Sequence, residues 1–108
     1  MSEPLLDSVT GVSGSGPAYV YTFVEAMIDG GVLTGLPRET ARELAIQTVL
    51  GAAEMIRQTN EHPAVLRDQV TSPGGTTIEA LKTLEEGGFR DSVMSAVLAA
   101  TQRSRELG

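Results

Sequence analysis

An all-α fold is the architecture this sequence predicts, and three observations carry that prediction. Apolar residues recur at three- and four-residue spacing over long stretches, no stretch alternates with period two, and proline and glycine cut the chain into pieces of helical length. Together they give about five helices.

The chain opens on a short polar lead-in that ends at Ser13-Gly14-Ser15-Gly16-Pro17. The first helix is expected from about Pro17 to Asp29. Pro17 suits a first helical turn, where its missing N–H costs nothing. Val20, Phe23, Val24, Met27 and Ile28 form one stripe, and Ala18, Tyr19 and Tyr21 leave the remaining surface fairly apolar. A helix apolar on most sides is buried on most sides. Gly30-Gly31 and Gly35-Leu36-Pro37 bracket a turn. The second helix is expected from about Pro37 to Thr59, with Ala41, Leu44, Ala45, Thr48, Val49, Ala52, Met55 and Ile56 repeating at three and four. It would be roughly 35 Å long. Gly51 in its middle costs about 1 kcal/mol of helix propensity, and close packing against another helix would explain it.

Asn60 to Pro63 marks the next break, followed by a short helix from Pro63 to about Val70. Thr76 opens another to about Glu86, where Thr76 and Glu79 have capping-box spacing. Its inner face would carry Ile78, Leu81 and Leu84, or the stem of Lys82 in place of Leu84. Glu85 to Gly88 marks the last break. The final helix is expected from about Phe89 to Leu107, with Phe89, Val93, Ala96, Val97 and Ala100 as its stripe. Arg103 and Arg105 lie near its C-terminus, where cations suit the helix dipole.

With 108 residues, one domain is the natural count. Apolar residues make up 41% and aromatics 4%, so the core must come from Ala, Val, Leu, Ile and Met. There is no cysteine, which removes disulfides, thiolate metal sites and thiol nucleophiles. Acids outnumber bases 14 to 8, and no Lys/Arg block occurs. Nucleic acid is therefore not an expected partner, because neutralising phosphates takes clustered cations. No apolar run approaches the ~20 residues of a membrane span, and the acidic start lacks a signal-peptide core. A cytoplasmic location is expected.

The stretch Thr71-Ser72-Pro73-Gly74-Gly75-Thr76-Thr77 is a glycine turn feeding a helix N-terminus. There the amides of Gly75, Thr76, Thr77 and Ile78 lack helical partners, and the glycines leave backbone N–H groups uncovered. Hydroxyls of Ser72, Thr76 and Thr77 add donors, so the loop is suited to a carboxylate or phosphate. An interhelical turn capped by Thr76 accounts for much of the same pattern, but not for two glycines, two threonines and Ser-Pro together. Both readings stand on the residues alone. Ser13 to Tyr19 lacks the third glycine and the preceding strand of a dinucleotide fingerprint, and reads as a flexible lead-in capping the first helix. His62, the only histidine, reads as a helix cap before Pro63. It has neither the company of a catalytic triad nor metal-ligand spacing. Glu85–Glu86 and Glu3–Asp7 read as solvated charges.

Six stretches, SGSGPAY, GLPRE, QTVLGAAEMI, HPAVLRDQVTSPGGTT, LEEGGFR and the final V...AT.RSREL, cover nearly the whole chain. In content, order and spacing they resemble the C-terminal helical dimerisation domain of pyrroline-5-carboxylate reductase. The resemblance implies that residues 1–108 are that domain, with helices interleaved with those of a second chain in a homodimer, and in some members a higher oligomer. The Rossmann domain that binds NADPH or NADH in the family's full-length enzyme is absent from this sequence. No cofactor or metal is expected on these residues, and the isolated chain is expected to be inactive. The family reduces 1-pyrroline-5-carboxylate to L-proline. By resemblance, Ser72 and the backbone of Gly74, Gly75 and Thr76 hold the substrate carboxylate. Thr77 stands near the ring nitrogen as the catalytic candidate, Val70 and Thr71 shape the pocket, and Ser13 to Tyr19 lies toward the nicotinamide. The alternatives are a pure assembly module without ligand binding, and a stand-alone hydrolase using Ser72 or His62.

Overall fold

The computed structural model describes residues 3–108, with side chains from residue 5 onward. Among these residues every regular element is helical: α1 (Glu3–Val9), a π-helical segment (Thr10–Gly14), α2 (Gly16–Leu33), α3 (Arg38–Thr59), α4 (Pro63–Gln69), α5 (Thr76–Glu86) and α6 (Phe89–Leu107). All five expected helices are present, and α5 and α6 have the expected bounds. The chain divides into two units, Met1–Phe23 with Leu84–Gly108, and Val24–Thr83.

In the first unit, α1 and the π-helical segment pack on α6. The lead-in expected to be flexible is thus helical. Its glycines, serines and threonines are poor helix formers, and packing on α6 overrides that preference. Contact is closest at Gly11, which is buried. A Cβ there would lie 2.3 Å from the Thr101 hydroxyl and 2.8 Å from the Val97 carbonyl oxygen. Thr101 is itself buried and donates to the Val97 carbonyl at 2.7 Å. The Tyr19 hydroxyl donates to the Gly11 carbonyl at 2.8 Å and lies 3.4 Å from that of Ala96, tying the start of α2 to both partners. Asp7, expected to be a solvated charge, instead accepts from the Ser104 hydroxyl at 2.7 Å and lies 3.9 Å from Arg105. Glu3, its expected companion, has its side chain outside the described residues. Phe23 and Phe89 meet with ring centroids 5.9 Å apart in a tilted pair, a favoured aromatic geometry.

In the second unit, α2 continues to Leu33 through Gly30-Gly31, four residues beyond the expected end. Gly31 is tolerated because α3 needs its space: a Cβ there would lie 2.9 Å from the Ala41 Cβ. The turn falls later, where Gly35 takes φ +111 and the Leu36 amide returns to the Gly31 carbonyl at 2.9 Å. Helix α3 ends on Asn60 in the left-handed region, its amide bonded to Ile56, a frequent helix terminator. Arg38 and Asp29 pair at 3.0 Å on the surface, where such pairs contribute little.

Little of this apolar sequence is covered. Among the described residues only Gly11, Ala41, Ala45 and Thr101 are buried. From the expected stripes, Val20, Phe23, Leu44, Met55, Ile56, Phe89 and Val93 remain exposed, Leu44 at 55% and Met55 at 53%. Gly51, expected to be pressed by a neighbouring helix, meets none in this chain: a Cβ there would touch only the Gln47 side-chain nitrogen, at 3.9 Å.

Candidate functional site

The loop between α4 and α5 is built from both ends. His62 caps α4, its Nδ1 accepting from the Ala64 amide at 3.0 Å, with Pro63 in the first turn. This is the role expected of it. The same bond occupies the nitrogen nearest the chain, and among the described residues no hydrogen bond joins His62 to Ser72. The pair a hydrolase would need is not assembled. At the far end of α4, Val70 is the C-cap and 68% exposed. The Thr71 hydroxyl donates to the Arg67 carbonyl at 2.6 Å, and its amide to that of Asp68 at 3.2 Å. Those bonds close α4 and fix where the loop departs.

From there the chain turns through Pro73 and Gly74, and Gly74 takes φ +67, a conformation glycine adopts without strain. The Gly75 amide donates to the Ser72 carbonyl at 3.1 Å. The Gly75 amide thus has no helical partner, as expected, but it is bonded within the loop and is not among the donors left over. What Gly75 contributes is its missing side chain: a Cβ would lie 2.3 Å from the Ser72 hydroxyl. The turn therefore places the Ser72 side chain against the entrance to α5.

Helix α5 begins at Thr76. Among the described residues, the amides of Thr76, Thr77 and Ile78 have no hydrogen-bond partner. Nor do the hydroxyls of Ser72, Thr76 and Thr77. The expected Thr76–Glu79 capping box is not formed, because Thr76 is the first helical residue rather than the cap. Eight other threonines, at positions 10, 22, 34, 48, 59, 71, 83 and 101, donate to a carbonyl one turn earlier. Thr76 and Thr77 cannot, since the residues one turn back belong to the loop. Three amides and three hydroxyls thus remain for an outside partner at the positive end of a helix dipole. Thr77 is half-buried, whereas Ser72 and Thr76 are exposed.

The structure brings Ser72, Gly74, Gly75, Thr76 and Thr77 into one turn, with Val70 two residues before it. The Ile78 amide joins them, as helix-terminus bookkeeping on the sequence anticipates. Ser13 to Tyr19 belongs to the other unit. There Ser13 donates to the Val9 carbonyl at 2.9 Å, and Tyr19 serves the packing of Gly11. Among the described residues no group of acids and histidine is arranged to hold a metal, and no helix is long and apolar enough to cross a membrane.

Comparison with known proteins places this geometry in context. The family described as pyrroline-5-carboxylate reductase dimerisation matches residues 3–107. The pyrroline-5-carboxylate reductase of Synechocystis is 62% identical over 106 residues, which are 98% of this chain and 40% of that protein. A solved pyrroline-5-carboxylate reductase from Coxiella burnetii superposes with a TM-score of 0.96 at 44% identity, over all of this chain and 40% of that one. The Plasmodium falciparum reductase, solved with NADP bound, gives 0.95 at 42% identity, over all of this chain and 41% of that one. The chain spans about two fifths of the length of these relatives.

Proposed function

The chain belongs to the pyrroline-5-carboxylate reductase family, as its dimerisation domain, and from that premise we propose that it pairs subunits and grips the substrate in an enzyme reducing 1-pyrroline-5-carboxylate to L-proline. The cytoplasm is the proposed location. The α4–α5 loop carries the substrate half of this reading. The carboxylate is received by the amides of Thr76, Thr77 and Ile78 with the hydroxyls of Ser72 and Thr76, while Gly75 keeps the approach open. The Thr77 hydroxyl is assigned a place beside the ring nitrogen, where it would assist that nitrogen's protonation by hydrogen bonding. NADPH or NADH supplies the hydride when bound, and its binding is assigned to the part of the enzyme beyond this stretch.

Magnitudes indicate why the loop is not sufficient alone. An exposed helix terminus stabilises an anion by about 0.3–1 kcal/mol, and a partly buried one by up to ~2 kcal/mol. Millimolar affinity takes about 4 kcal/mol. Exclusion of water by further protein surface makes the same donors stronger, so the site matures only when the loop is covered.

The assembly half rests on the uncovered apolar faces. Leu44, Leu50 and Met55 on α3 and Met94 and Leu98 on α6 stand more than half exposed, apolar surface of the kind a partner covers. The proposed partner is a second copy, interleaved with the first.

Amide NMR during titration with proline tests the loop. Shifts at Thr76, Thr77 and Ile78 are expected as ligand is raised through roughly tens of millimolar, the affinity that ~2 kcal/mol gives, and should vanish in Gly75→Val. A spectrum that does not move, or moves equally in Gly75→Val, leaves only the assembly module.

A further inference from the structure

We propose that α1 and the π-helical segment form a strap that docks reversibly on α6, hinged at Gly14-Ser15-Gly16 and latched by the Tyr19 hydroxyl. Every contact involved lies within one unit of one chain, so the device stands apart from both the carboxylate cradle and the pairing of subunits. The hinge is written in glycines. Gly11, Gly31 and Gly75 leave out a Cβ that would collide with a neighbour, and Gly35, Gly74 and Gly88 adopt positive φ. Gly14 and Gly16 do neither. An added Cβ would meet Thr10 of the same segment at an ordinary 3.4 Å in the first case and nothing within 4 Å in the second. What glycine supplies at both is backbone freedom. They flank Ser15, the residue that interrupts the helical run from α1 through α2. Pro17 follows, with no amide to offer the Ser13 carbonyl one turn back and a ring that would crowd it in a continuous α-helix. The chain widens instead, and the Ser15 amide reaches back to the Thr10 carbonyl at 2.8 Å. Helix propensity, a missing amide and a widened turn all make this joint the weak point of the run.

The strap is held by polar contacts. It lies antiparallel to α6, with Asp7 against Ser104 and Gly11 against Thr101 and Val97. Its larger apolar side chains take little part: Leu5, Leu6, Val9 and Val12 all remain exposed. A seam of hydrogen bonds beside water contributes little net stability, and segments with few buried apolar contacts open locally while the rest stays folded. Tyr19 stands just beyond the hinge. Its hydroxyl donates to the Gly11 carbonyl at 2.8 Å and lies 3.4 Å from that of Ala96, so one group joins strap, α2 and α6. Docked, the strap fixes the direction in which the chain enters α2. Undocked, it pivots at the glycines and bares Val97 and Thr101 on α6.

Amide hydrogen exchange, resolved by NMR through a series of low urea concentrations, tests the device on the unaltered chain and on Tyr19→Phe. In the unaltered chain, amides from residue 6 to residue 14 should share one opening that urea barely affects, about tenfold or more easier than that of the middle of α6. In Tyr19→Phe their protection should fall about tenfold further, with α3 and α5 unchanged. Strap amides that match α6 in protection and urea dependence overturn the strap. So does protection that climbs steadily from residue 6 to residue 14, which is fraying of an end and not a hinge. Strap protection untouched by Tyr19→Phe, or a loss spread evenly over every helix, overturns the latch.

Discussion

Gly11 and Gly75 each make room for a single hydroxyl, but with different consequences. At Gly11 the space is occupied by the Thr101 hydroxyl and by a backbone carbonyl that cannot rotate away. Gly11→Ala should cost about 1–3 kcal/mol, the usual penalty for overfilling a close contact, measured by urea unfolding. Gly16→Ala, with nothing within 4 Å of the added methyl, should stay close to the unaltered chain. At Gly75 the nearest atom is the Ser72 hydroxyl at 2.3 Å, which can swing aside, and the Ser72 carbonyl oxygen follows at 3.3 Å, so substitution there acts on the proposed anion cradle more than on the fold. The loop's spare donors were legible in the sequence because they are consecutive and follow a glycine turn into a helix. The role of Gly11 was not, because its neighbours Val97 and Thr101 are distant along the chain. Asp7 was misread for the same reason: Ser104 and Arg105 come to it only through folding.

Helix α3 carries the chain's clearest perturbed carboxylate. Arg57 and then Gln58, both hydrogen-bonded to Glu54, hold its pKa below the ordinary 4.5. A depressed acid stabilises the fold above its unfolded value and loses that contribution as pH falls through the folded one. Glu54→Gln should therefore reduce stability slightly at neutral pH, with the difference shrinking in thermal melts as pH falls from the ordinary 4.5 through the lowered folded value. The effect is small because the group is exposed and water screens the pair. At this scale the helices were legible wherever apolar spacing and a terminator agreed, as in α5 and α6. They were not where local preference opposed packing. The glycines at 30 and 31 suggested a turn but sit inside α2, and the Ser/Gly-rich lead-in suggested coil but forms α1 and a π-helical segment on α6.

At the scale of the molecule, the described residues include only two buried apolar side chains, Ala41 and Ala45, as folding coupled to association would leave in a single chain. Melting temperature should then rise with protein concentration. A melt that holds constant over a hundredfold dilution, with light scattering reporting 11.3 kDa throughout, would show instead that each chain folds without a partner. The periodicities that located the helices could not show how much of each would remain uncovered, since spacing describes a face and not what closes it. The uncovered faces also bear on inheritance. Where a cell makes a sound and a defective version of a chain that completes its core on its twin, the two versions pair with each other as readily as with themselves. A lesion at Leu44, Leu50 or Met55 would then pass into mixed pairs, and one faulty allele would deplete the product of its healthy counterpart.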